Sequence, residues 1–429
     1  MEMEASKVRT RCCVVGGGPA GMMLGVLLAR AGVATVVLEK HGDFLRDFRG
    51  DTVHPSTLDV MGDLGWLEDF LALPHQEVRQ LSARVGKVEL TLADFTHVPT
   101  RCKFIALMPQ WDFLTFLAAR GRRYGTFDLR MRTAATDSIE ENGRVVGVRA
   151  SGPEGPLEVR ADLVVAADGR HSTMRAPGGF VSDDLGAPMD VLWMRLPRLP
   201  SDAFQALGRV ERGKILVTLD RGTYWQCAYV IPKGGFDAVR AAGIDALRAQ
   251  LAEIAPFLAD RLGAIASWDD VSLLTVRVDR LRTWWKPGLL CIGDAAHAMS
   301  PVGGVGINMA VQDAVAAANI LAAPLRAGGL TDDDLARVQR RREWPTRVIQ
   351  SVQVFIGNRV IGRVLGAKGP IAAPAILDAF QRLPLLRTLP AWLVGVGVRP
   401  EHPRTPELVP PSVAEPPVLM AKSSLGGTE

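Results

Sequence analysis

Three glycine-bearing turns, far apart along the chain, constrain its fold more than any other feature. Each of them follows a short apolar run of the kind that forms a buried strand. They are Gly16-Gly17-Gly18-Pro19-Ala20-Gly21, Ala167-Asp168-Gly169 and Gly293-Asp294-Ala295. Glycines at the carboxyl ends of buried strands let phosphates and sugars approach the backbone. The three turns together therefore indicate one extended nucleotide cofactor, a flavin dinucleotide.

The first turn has the spacing of a dinucleotide-binding fingerprint. Gly16 permits the tight turn, Gly18 lets a pyrophosphate approach the backbone, and Gly21 lets the helix pack closely on the strand. Glu39 stands about twenty residues further on, where an acid accepts hydrogen bonds from ribose hydroxyls. A glycine-rich turn without a ligand would not account for this acid, although the fingerprint alone does not separate NAD from FAD. The expected elements are the strand Arg11–Val15, the helix Pro19–Ala31 and the strand Thr35–Leu38.

The third turn and the segment after it have the chemistry of a flavin site. Asp294 either caps the next helix or accepts hydrogen bonds from the ribityl hydroxyls of a flavin. The sequel, Pro301-x-x-Gly304-x-Gly306-x-Asn308, leads into a predicted helix. Its bare glycines would let the backbone lie against a flat ring, and a helix N-terminus would stabilise negative charge on a reduced flavin.

The second turn is the least specific of the three, because Asp-Gly is a common turn sequence. Asp168-Gly169 is followed by cationic side chains and a hydroxyl, which suit contact with a diphosphate of the cofactor or of a second nucleotide. These side chains are Arg170, His171, Ser172 and Arg175. A surface turn with solvated arginines accounts for the segment equally well when it is considered alone.

Composition argues against several classes of function. The 429 residues are 48% apolar and 22% charged, and the net charge of +4 comes from scattered basic residues, so nucleic acid is not an expected partner. The five cysteines are odd in number and have no metal-ligand spacing, which indicates reduced thiols in a cytoplasmic protein and no metal site. The uncharged stretch 12–29 resembles a membrane span, but its glycine spacing favours strand, turn and helix. We therefore expect no targeting segment and no stable membrane insertion.

The middle of the chain has a different pattern, which predicts an antiparallel sheet inserted into the cofactor domain. Its expected strands are the hairpin Gln80–Val85 and Val88–Leu92, and Val191–Leu196, Lys214–Leu219, Tyr224–Ile231 and Ser272–Val278. Helices are expected over Pro55–Leu67, Trp111–Arg123, Ile244–Leu262 and Gly306–Leu321. A further helix begins at the capping box Thr331-x-x-Asp334, and Pro345 is expected to kink or break it. The proline-rich tail from Arg399 is expected to be extended or disordered.

Taken together, the three turns resemble the signatures of class A, single-component FAD-dependent monooxygenases, the para-hydroxybenzoate hydroxylase-like family. The similarity spans residues 11–321. It implies an α/β fold with a Rossmann-like FAD-binding domain of the GR2 flavoprotein type, an interleaved antiparallel-sheet substrate domain and C-terminal helices. The expected FAD-binding domain comprises 1–79, 104–185 and 276–345, and the substrate domain comprises 80–103 and 186–275. A helical region at 346–398 and the proline-rich tail at 399–429 follow.

The resemblance also implies roles for individual residues. Arg49 begins a stretch, continued by His54-Pro55, that matches a segment beside the isoalloxazine in relatives, so Arg49 is expected at the flavin edge. Gln110 stands where relatives often carry an arginine that bonds the cofactor, which is a departure from the family pattern. The catalytic candidates are Arg49 and Pro301. The cofactor-binding candidates are Gly16, Gly18, Pro19, Ala20, Gly21, Glu39, Lys40, Arg49, Gln110, Asp168, Gly293, Asp294, Pro301, Gly304, Gly306, Ile307 and Asn308.

Members of that family reduce FAD with NADPH or NADH and form a flavin C4a-hydroperoxide with O2, which transfers one oxygen atom to an electron-rich substrate. The resemblance therefore implies hydroxylation or epoxidation of a small hydrophobic, aromatic or polyketide-like substrate by a monomer or homodimer. The substrate is expected between the antiparallel sheet and the flavin, although core packing is the competing explanation for each side chain there. The strands carry Trp193, Met194, Tyr224, Trp225, Gln226 and Tyr229, of which Trp193, Tyr224 and Gln226 are the substrate candidates.

Other functions stay open at this point. A related flavoprotein with halogenase or reductase chemistry is one alternative, but Trp284-Trp285-Lys286-Pro287 does not match the Trp-x-Trp-x-Ile-Pro signature of flavin halogenases. An FAD that serves as a structural element in a binding protein or a non-redox cyclase is another. For the apolar stretch 371–398, a membrane-surface role is the alternative to packing on the cofactor domain.

Overall fold

The computed structural model describes residues 5–45, 52–176, 178–202, 207–367, 369 and 384–408. Its strands are β1 (Ser6–Val15), β2 (Thr35–Leu38), β3 (Thr52–Val53), β4 (Gln76–Val78), β5 (Gln80–Val85), β6 (Val88–Asp94), β7 (Ile105–Leu107), β8 (Phe127–Arg130), β9 (Ala134–Glu141), β10 (Arg144–Gly152), β11 (Gly155–Ala166), β12 (Ser182–Asp184), β13 (Met189–Pro197), β14 (Leu207–Glu211), β15 (Lys214–Asp220), β16 (Tyr224–Pro232), β17 (Ser272–Leu274), β18 (Asp279–Leu281), β19 (Trp285–Lys286), β20 (Leu289–Cys291) and β21 (His297–Ala298).

Its α-helices are α1 (Pro19–Arg30), α2 (Pro55–Asp63), α3 (Leu67–Leu71), α4 (Gln110–Gly121), α5 (Phe236–Ala242), α6 (Ile244–Ile254), α7 (Gly306–Ala327), α8 (Asp332–Ile356), α9 (Gly362–Leu365) and α10 (Pro384–Gly395). A π-helix, Gly357–Ile361, joins α8 to α9. Short 3-10 helices lie at Phe95–His97, Pro256–Ala264, Trp268–Asp270, Gly293–Ala295 and Val302–Gly304.

Strand β1 is the centre of the larger sheet, which has the spatial order β19-β20-β11-β1-β2-β8 and is extended from β11 by β10 and β9. Strands β2, β1, β11 and β20 are parallel neighbours. The side chains of Cys12 and Val14 pack towards α1 and α7, and those of Cys13 and Val15 pack on the opposite face. Because β1, β11 and β20 run in the same direction, the three glycine turns that follow them meet at one edge of this sheet. The predicted fold class is confirmed.

The second large sheet has the order β17-β13-β16-β15-β14-β5-β6. Its neighbours are antiparallel, as predicted, except for β14 and β5, which pair in parallel. A parallel pair requires a long crossover, and β5 precedes β14 by more than a hundred residues. One face of this sheet packs on α6, and the other packs on α9 and on Val302 of the loop before α7. The domain limits drawn from the sequence stay a prediction.

Several elements differ from the sequence-based expectation. The helix predicted over Pro55–Leu67 ends at Asp63, and a separate helix begins at Leu67. Three further differences have a local cause. The helix predicted over Ile244–Leu262 ends at Ile254 and continues as a 3-10 helix from Pro256, because proline has no N–H to extend the α-helical ladder. The strand predicted over Ser272–Val278 ends at Leu274, since the N–H of Val276 bonds the Asp190 carboxylate instead of a strand. Helix α8 is not ended by Pro345: it keeps its Thr331 cap and runs on to Ile356, with Pro345 buried against its neighbours.

The helix Val302–Ala327, which includes α7, is long and apolar enough to cross a membrane by composition, but 83% of its most apolar window is buried inside the described chain. It packs against α1 on one side and α8 on the other. An apolar helix that is covered on several sides by its own fold is a core helix.

Candidate cofactor and active site

The first glycine turn is held in place by contacts that leave no room for side chains. Gly16 has a φ of +107° and donates its N–H to the carbonyl of Leu38 at 2.8 Å. A Cβ at Gly16 would lie 2.5 Å from the carbonyl oxygen of Ala167, and one at Gly21 would lie 1.9 Å from that of Gly16. The turn therefore fixes the distance between β1, α1 and the segment that follows β11.

Gly18, unlike Gly16 and Gly21, lies beside open space. A Cβ at this position would meet no heavy atom within 4 Å. Helix α1 begins at the next residue, Pro19, and has no side-chain cap on its N-terminal N–H groups. Uncapped N–H groups at the positive end of a helix bind anions. The space beside Gly18 and Ala20 therefore has the donors that a diphosphate needs.

Glu39 stands at the end of β2, where the fingerprint predicts it, but its carboxylate already holds the turn. One carboxylate oxygen accepts the N–H of Gly17 at 2.9 Å, and the other accepts the N–H and Nδ1 of His41 at 2.9 and 2.8 Å. Only 3% of the residue is exposed. Its neighbour Lys40 is exposed. The ribose contact of Glu39 stays a prediction, and the observed role is to order the glycine turn.

Two candidates taken from the family resemblance receive little support. Arg49 lies outside the described residues, so its place at the flavin edge stays a prediction. Gln110 is the first residue of α4, after Pro109, and is partly buried. Its contact with a cofactor also stays a prediction.

Asp294 is a carboxylate with few donors around it. Within the described chain its side chain forms one ion pair, with the Arg170 guanidinium at 3.9 Å, and the charges of His297 and Arg175 also act on it. Burial by the surrounding protein raises the pKa of Asp294, although 33% of its side chain is exposed, and the Arg170 charge opposes that rise. A carboxylate in this condition is stabilised by hydroxyl donors, which is the chemistry of ribityl contact.

The turn after β11 is tied to the turn after β20. Asp168 accepts the N–H and the hydroxyl of Thr173 at 2.7 and 3.0 Å, while its other oxygen is buried and has no partner in the described part of the chain. Arg175 is not free to bind a diphosphate, because it donates to the carbonyls of Ala295 and Asp294 at 2.8 and 2.9 Å. Arg170 is the cation of this segment that lies beside Asp294.

The loop before α7 forms a rigid backbone platform. Gly303 and Gly304 both have positive φ, and a Cβ at Gly304 would lie 2.5 Å from the hydroxyl of Thr52. That hydroxyl donates to the Gly304 carbonyl at 2.8 Å. Pro301 accepts the N–H of Gly304 at 3.0 Å, which closes the loop. The backbone of this segment is therefore held from both sides.

The first turn of α7 has unused donors. Helix α7 has no side-chain cap, and a Cβ at Gly306 would meet no atom within 4 Å. Ile307 and Asn308 follow and are buried. The Asn308 carbonyl oxygen accepts the N–H of His54 and the hydroxyl of Thr57, but its Nδ2 is buried without a partner in the described chain. This helix end therefore has open donors for an electron-rich ring edge.

His54 is a site residue that sequence reasoning left without a role. Its Nδ1 lies 2.8 Å from the carbonyl oxygen of Val394 in α10, so Nδ1 carries the proton and Nε2 is the acceptor. Burial lowers the pKa of His54 to about 4, so the ring is neutral at physiological pH. Nε2 is buried and has no partner in the described residues. The signal was a histidine beside Pro55 in the matched segment.

The three substrate candidates share one face of the second sheet. Strand pairing places Trp193 opposite Ala228, and Gln226 and Tyr224 point to the same side. Trp193 packs against the same apolar cluster as Val302, which lies in the loop before α7. Gln226 accepts a hydrogen bond from Arg221 at 2.9 Å. The sheet therefore presents these side chains towards the loop before α7.

The other three aromatic and sulfur side chains on these strands, which were not among the substrate candidates, pack in the core. Met194, Trp225 and Tyr229 point to the opposite face and pack on α6, with the Tyr229 hydroxyl 2.7 Å from Gln250. The reason is the two-residue period of a strand, which puts neighbouring residues on opposite faces.

Asp313 is a further residue at the site that the motifs did not include. It is fully buried in α7 and accepts the N–H of Gly293 at 3.0 Å, His297 Nε2 at 2.6 Å and Arg342 Nε at 2.9 Å. Burial alone would raise the pKa of Asp313, but the His297 ring and the Arg342 guanidinium outweigh it and lower the pKa. The signal was a lone acid within an otherwise apolar helix.

Comparison with known proteins agrees with this geometry. A family model described as an FAD binding domain matches residues 9–351. The chain belongs to this FAD-binding family. Among curated relatives, 6-methylpretetramide 4-monooxygenase of Streptomyces rimosus is 33% identical over 389 residues, which cover 90% of this chain and 92% of that relative. The resemblance to FAD-dependent monooxygenases is confirmed, and the protein is an FAD-dependent oxidoreductase that incorporates oxygen from O2.

Solved structures show the same fold. A p-nitrophenol 4-monooxygenase from Pseudomonas putida DLL-E4 has a TM-score of 0.73 at 20% identity, and the match covers 90% of this chain and 97% of that one. An anhydrotetracycline hydroxylase from Streptomyces rimosus has a TM-score of 0.70 at 23% identity, and the match covers 91% of this chain and 76% of that one.

In the described ranges, no group of three or more histidine, cysteine or acidic side chains could hold a metal ion.

Proposed function

We propose that this monooxygenase takes electrons from NADPH or NADH and hydroxylates or epoxidises a small hydrophobic substrate of the aromatic or polyketide class. The observation that carries the substrate assignment is the common face of Trp193, Tyr224 and Gln226, with Trp193 and Val302 in one apolar cluster. The name of the S. rimosus relative, 6-methylpretetramide 4-monooxygenase, supports this class. We expect a cytoplasmic monomer or homodimer with no nucleic-acid partner.

FAD fits the residues that are present. The open space beside Gly18 and the uncapped end of α1 suit the diphosphate. Asp294, with Arg170 as its charged partner in the described chain, suits the ribityl hydroxyls. The uncapped end of α7 at Gly306 suits the electron-rich edge of the ring. The Glu39 carboxylate lies beside the first glycine turn, at the end of β2, where the fingerprint expects the adenosine ribose.

Bound FAD supplies the hydride acceptance and the O2 activation, and the chain supplies orientation, electrostatics and the exclusion of water. The positive end of α7 would stabilise negative charge on a bound flavin ring, at no reorganisation cost because the helix is already fixed. The wall of Pro301, Val302 and Gly304 is held by backbone and Thr52 hydrogen bonds, so it keeps its shape beside the substrate.

The substrate face offers both apolar surface and polar groups. Trp193 contributes a flat apolar side chain whose indole N–H is buried without a partner in the described residues. Tyr224 lies under the Arg195 guanidinium, 4.8 Å from the ring centroid, which orients the ring. These groups suit a flat substrate with a few oxygen substituents. The polar side chains would bond those oxygens and orient the substrate against the loop before α7.

The test begins with the visible spectrum of the purified protein, which should be yellow with flavin absorption. NADPH and NADH consumption under air should then be stimulated by phenols and aromatic polyketides. With ¹⁸O2, the product should gain one labelled oxygen atom. Labelled product from an active substrate supports the proposal.

Two other outcomes contradict the proposal in different ways. Nicotinamide oxidation that yields only H2O2 with every substrate of a broad panel would contradict the substrate class. A flavin-loaded protein that converts a substrate without consuming NADPH, NADH or O2 would favour the non-redox cyclase.

A further inference from the structure

The segment 399–408, which the sequence predicts to be extended or disordered, is a strap bound across three helices. Asn319 in α7 donates to the carbonyl of His402 at 2.9 Å and accepts the N–H of Arg404 at 2.7 Å. Arg30 in α1 donates to the carbonyl of Thr405 at 2.7 Å. We call residues 399–408 the C-terminal strap; it lacks regular secondary structure but has specific partners. Residues 409–429 of the predicted tail lie outside the described residues.

Glu401 is the residue of the strap that reaches the interior. It is 2% exposed, and its carboxylate accepts Arg341 Nε at 2.5 Å and lies 3.7 Å from Arg342 Nη1. Its backbone N–H bonds the side-chain oxygen of Gln312 in α7. Arg342 Nη1 is itself buried and has no hydrogen bond within the described chain, so the Glu401 charge is its compensation.

The buried charges continue from Glu401 to the Gly293-Asp294 turn. The same Arg342 guanidinium donates through Nε to Asp313 at 2.9 Å. Asp313 in turn accepts the N–H of Gly293, the residue before Asp294, at 3.0 Å. The side chains of Arg342, Asp313 and Glu401 are all 2% exposed or less. The strap and the cofactor turn are therefore two ends of one buried network.

We propose that Glu401 is a positioning residue for the Gly293-Asp294 turn and acts through Arg342 and Asp313. Arg342 is shared by two carboxylates, so its position balances their attractions. Loss of the Glu401 charge leaves Asp313 as the main counter-charge of Arg342 and draws the two side chains together. Asp313 can follow only by changing its bonds to Gly293 and His297. The effect on the turn is then a looser grip on FAD, which depends on cofactor binding and not on the proposed substrate.

The test compares two substitutions of the same kind on the strap. Glu401→Gln removes the buried charge at nearly constant shape. Glu407→Gln removes the strap carboxylate that accepts the Tyr124 hydroxyl at 2.8 Å and contacts Arg30, and it has no contact with Arg342. FAD release from the full-length holoenzyme is followed by the rise in flavin fluorescence after dilution, and thermal unfolding is recorded in parallel. We expect Glu401→Gln to release FAD roughly tenfold faster, while Glu407→Gln releases it at the parent rate.

The outcomes separate positioning from general packing. Equal release rates in Glu401→Gln and the parent overturn the proposal, even if the unfolding temperature falls. Equal acceleration in both variants also overturns it, because strap docking alone would then explain the effect. Should Glu401→Gln not fold, Glu401→Asp keeps the charge at a longer distance, and we expect a smaller acceleration. Parent-like release in that variant contradicts the proposal. Because no substrate is used, failure of the monooxygenase assay leaves this result interpretable.

Discussion

Arg175 is paired with the fully buried carboxylate of Asp279, with nitrogen–oxygen distances of 3.1 and 3.3 Å. The same guanidinium donates to the carbonyls of Asp294 and Ala295. One side chain from the turn after β11 thus fixes the backbone of the turn after β20. The relationship explains how two turns that meet at the sheet edge keep a constant separation for the cofactor.

Arg175→Ala should therefore destabilise the protein and weaken FAD binding together. Removing one partner of a buried pair costs about 3 kcal/mol of unfolding free energy. Asp279 keeps a second partner, Arg277 at 2.9 Å, which limits the loss. Urea unfolding and fluorescence titration with FAD measure the two effects. The control is Arg282→Ala, which breaks an exposed pair with Asp183 and should change stability by less than about 0.5 kcal/mol. Parent-like FAD affinity in Arg175→Ala would count against this account of the turns.

Substitutions at Gly18 and Gly21 of the first turn should have different effects, one on cofactor binding and the other on stability. Gly18→Val adds a side chain where no atom lies within 4 Å, so the fold is retained, but the space for a diphosphate is filled. The expected product is a folded, colourless protein. Gly21→Ala places a Cβ against the Gly16 carbonyl and should cost about 3 kcal/mol of stability. Circular dichroism and flavin absorbance separate the two effects, and a yellow, fully loaded Gly18→Val protein would refute the diphosphate assignment.

Asp294→Ala should weaken FAD binding without harming the fold. Its carboxylate forms one long ion pair in the described chain, with Arg170 at 3.9 Å, and burial raises its pKa, so little stabilising interaction is lost in the apoprotein. Loss of hydrogen bonds from ribityl hydroxyls to a carboxylate should lower FAD affinity by about 10- to 100-fold. Titration of apoprotein with FAD gives the affinity, and urea unfolding gives the control. Unchanged FAD content would remove Asp294 from the site.

The elements that the sequence predicts correctly are those set by local patterns. Helix α1 and strand β2 agree with prediction to within a residue, because hydrophobic periodicity, Gly16 and Pro19 specify strand, turn and helix within a short segment. The predicted helix Ile244–Leu262 was too long for a reason that is also local. The apolar periodicity continues through Pro256, but the α-helical hydrogen bonds do not. The C-terminal strap could not be predicted, because its order comes from Asn319, Arg30 and two arginines of α8, Arg341 and Arg342, which are remote in sequence.

The sequence predicts the parts of the site where bare backbone would contact the cofactor. It does not predict the side chains that hold those backbone segments in place. Glycine spacing reveals Gly18 and Gly306 because an approaching cofactor requires bare backbone there. The role of Arg175 depends on Asp279, which is 104 residues away, and no spacing rule joins them. The same holds for Asp313 and Arg342, whose partners are defined only once α7 and α8 are packed together. The sequence marks Trp193 and Trp225 as aromatic residues on two of these strands, but only the strand register shows that they point to opposite faces.

The buried His54 should make stability depend on pH between about 4 and 6.5. Its pKa is about 4 in the folded protein, against an ordinary value of about 6.5 in the unfolded chain. Between these two pKa values the imidazole is protonated in the unfolded chain but not in the folded protein. The unfolding free energy therefore rises with pH across this window, and the contribution of His54 to stability is lost as the pH falls. A shift of this size corresponds to about 3 kcal/mol.

Urea unfolding of the parent and of His54→Asn at pH 4.5, 5.5 and 7 measures this contribution. The variant should have a flatter pH profile across this range, because its amide does not titrate. His97→Asn, which replaces an exposed imidazole, is the control and should keep the parent slope. Parallel profiles for the parent and His54→Asn would show that His54 is not the titrating group.

The two faces of the second sheet should respond differently to conservative substitutions. Trp193→Phe removes an indole on the face that packs towards Val302, and we expect a higher KM for substrate and more H2O2 released per NADPH consumed. Tyr229→Phe removes a hydroxyl on the α6 face, where it bonds Gln250, and should cost about 1 kcal/mol of stability with unchanged KM. Steady-state kinetics with peroxide detection and urea unfolding measure both. If Tyr229→Phe raises KM and Trp193→Phe does not, the substrate lies on the other face, and the proposed cleft between the sheet and the loop before α7 is wrong.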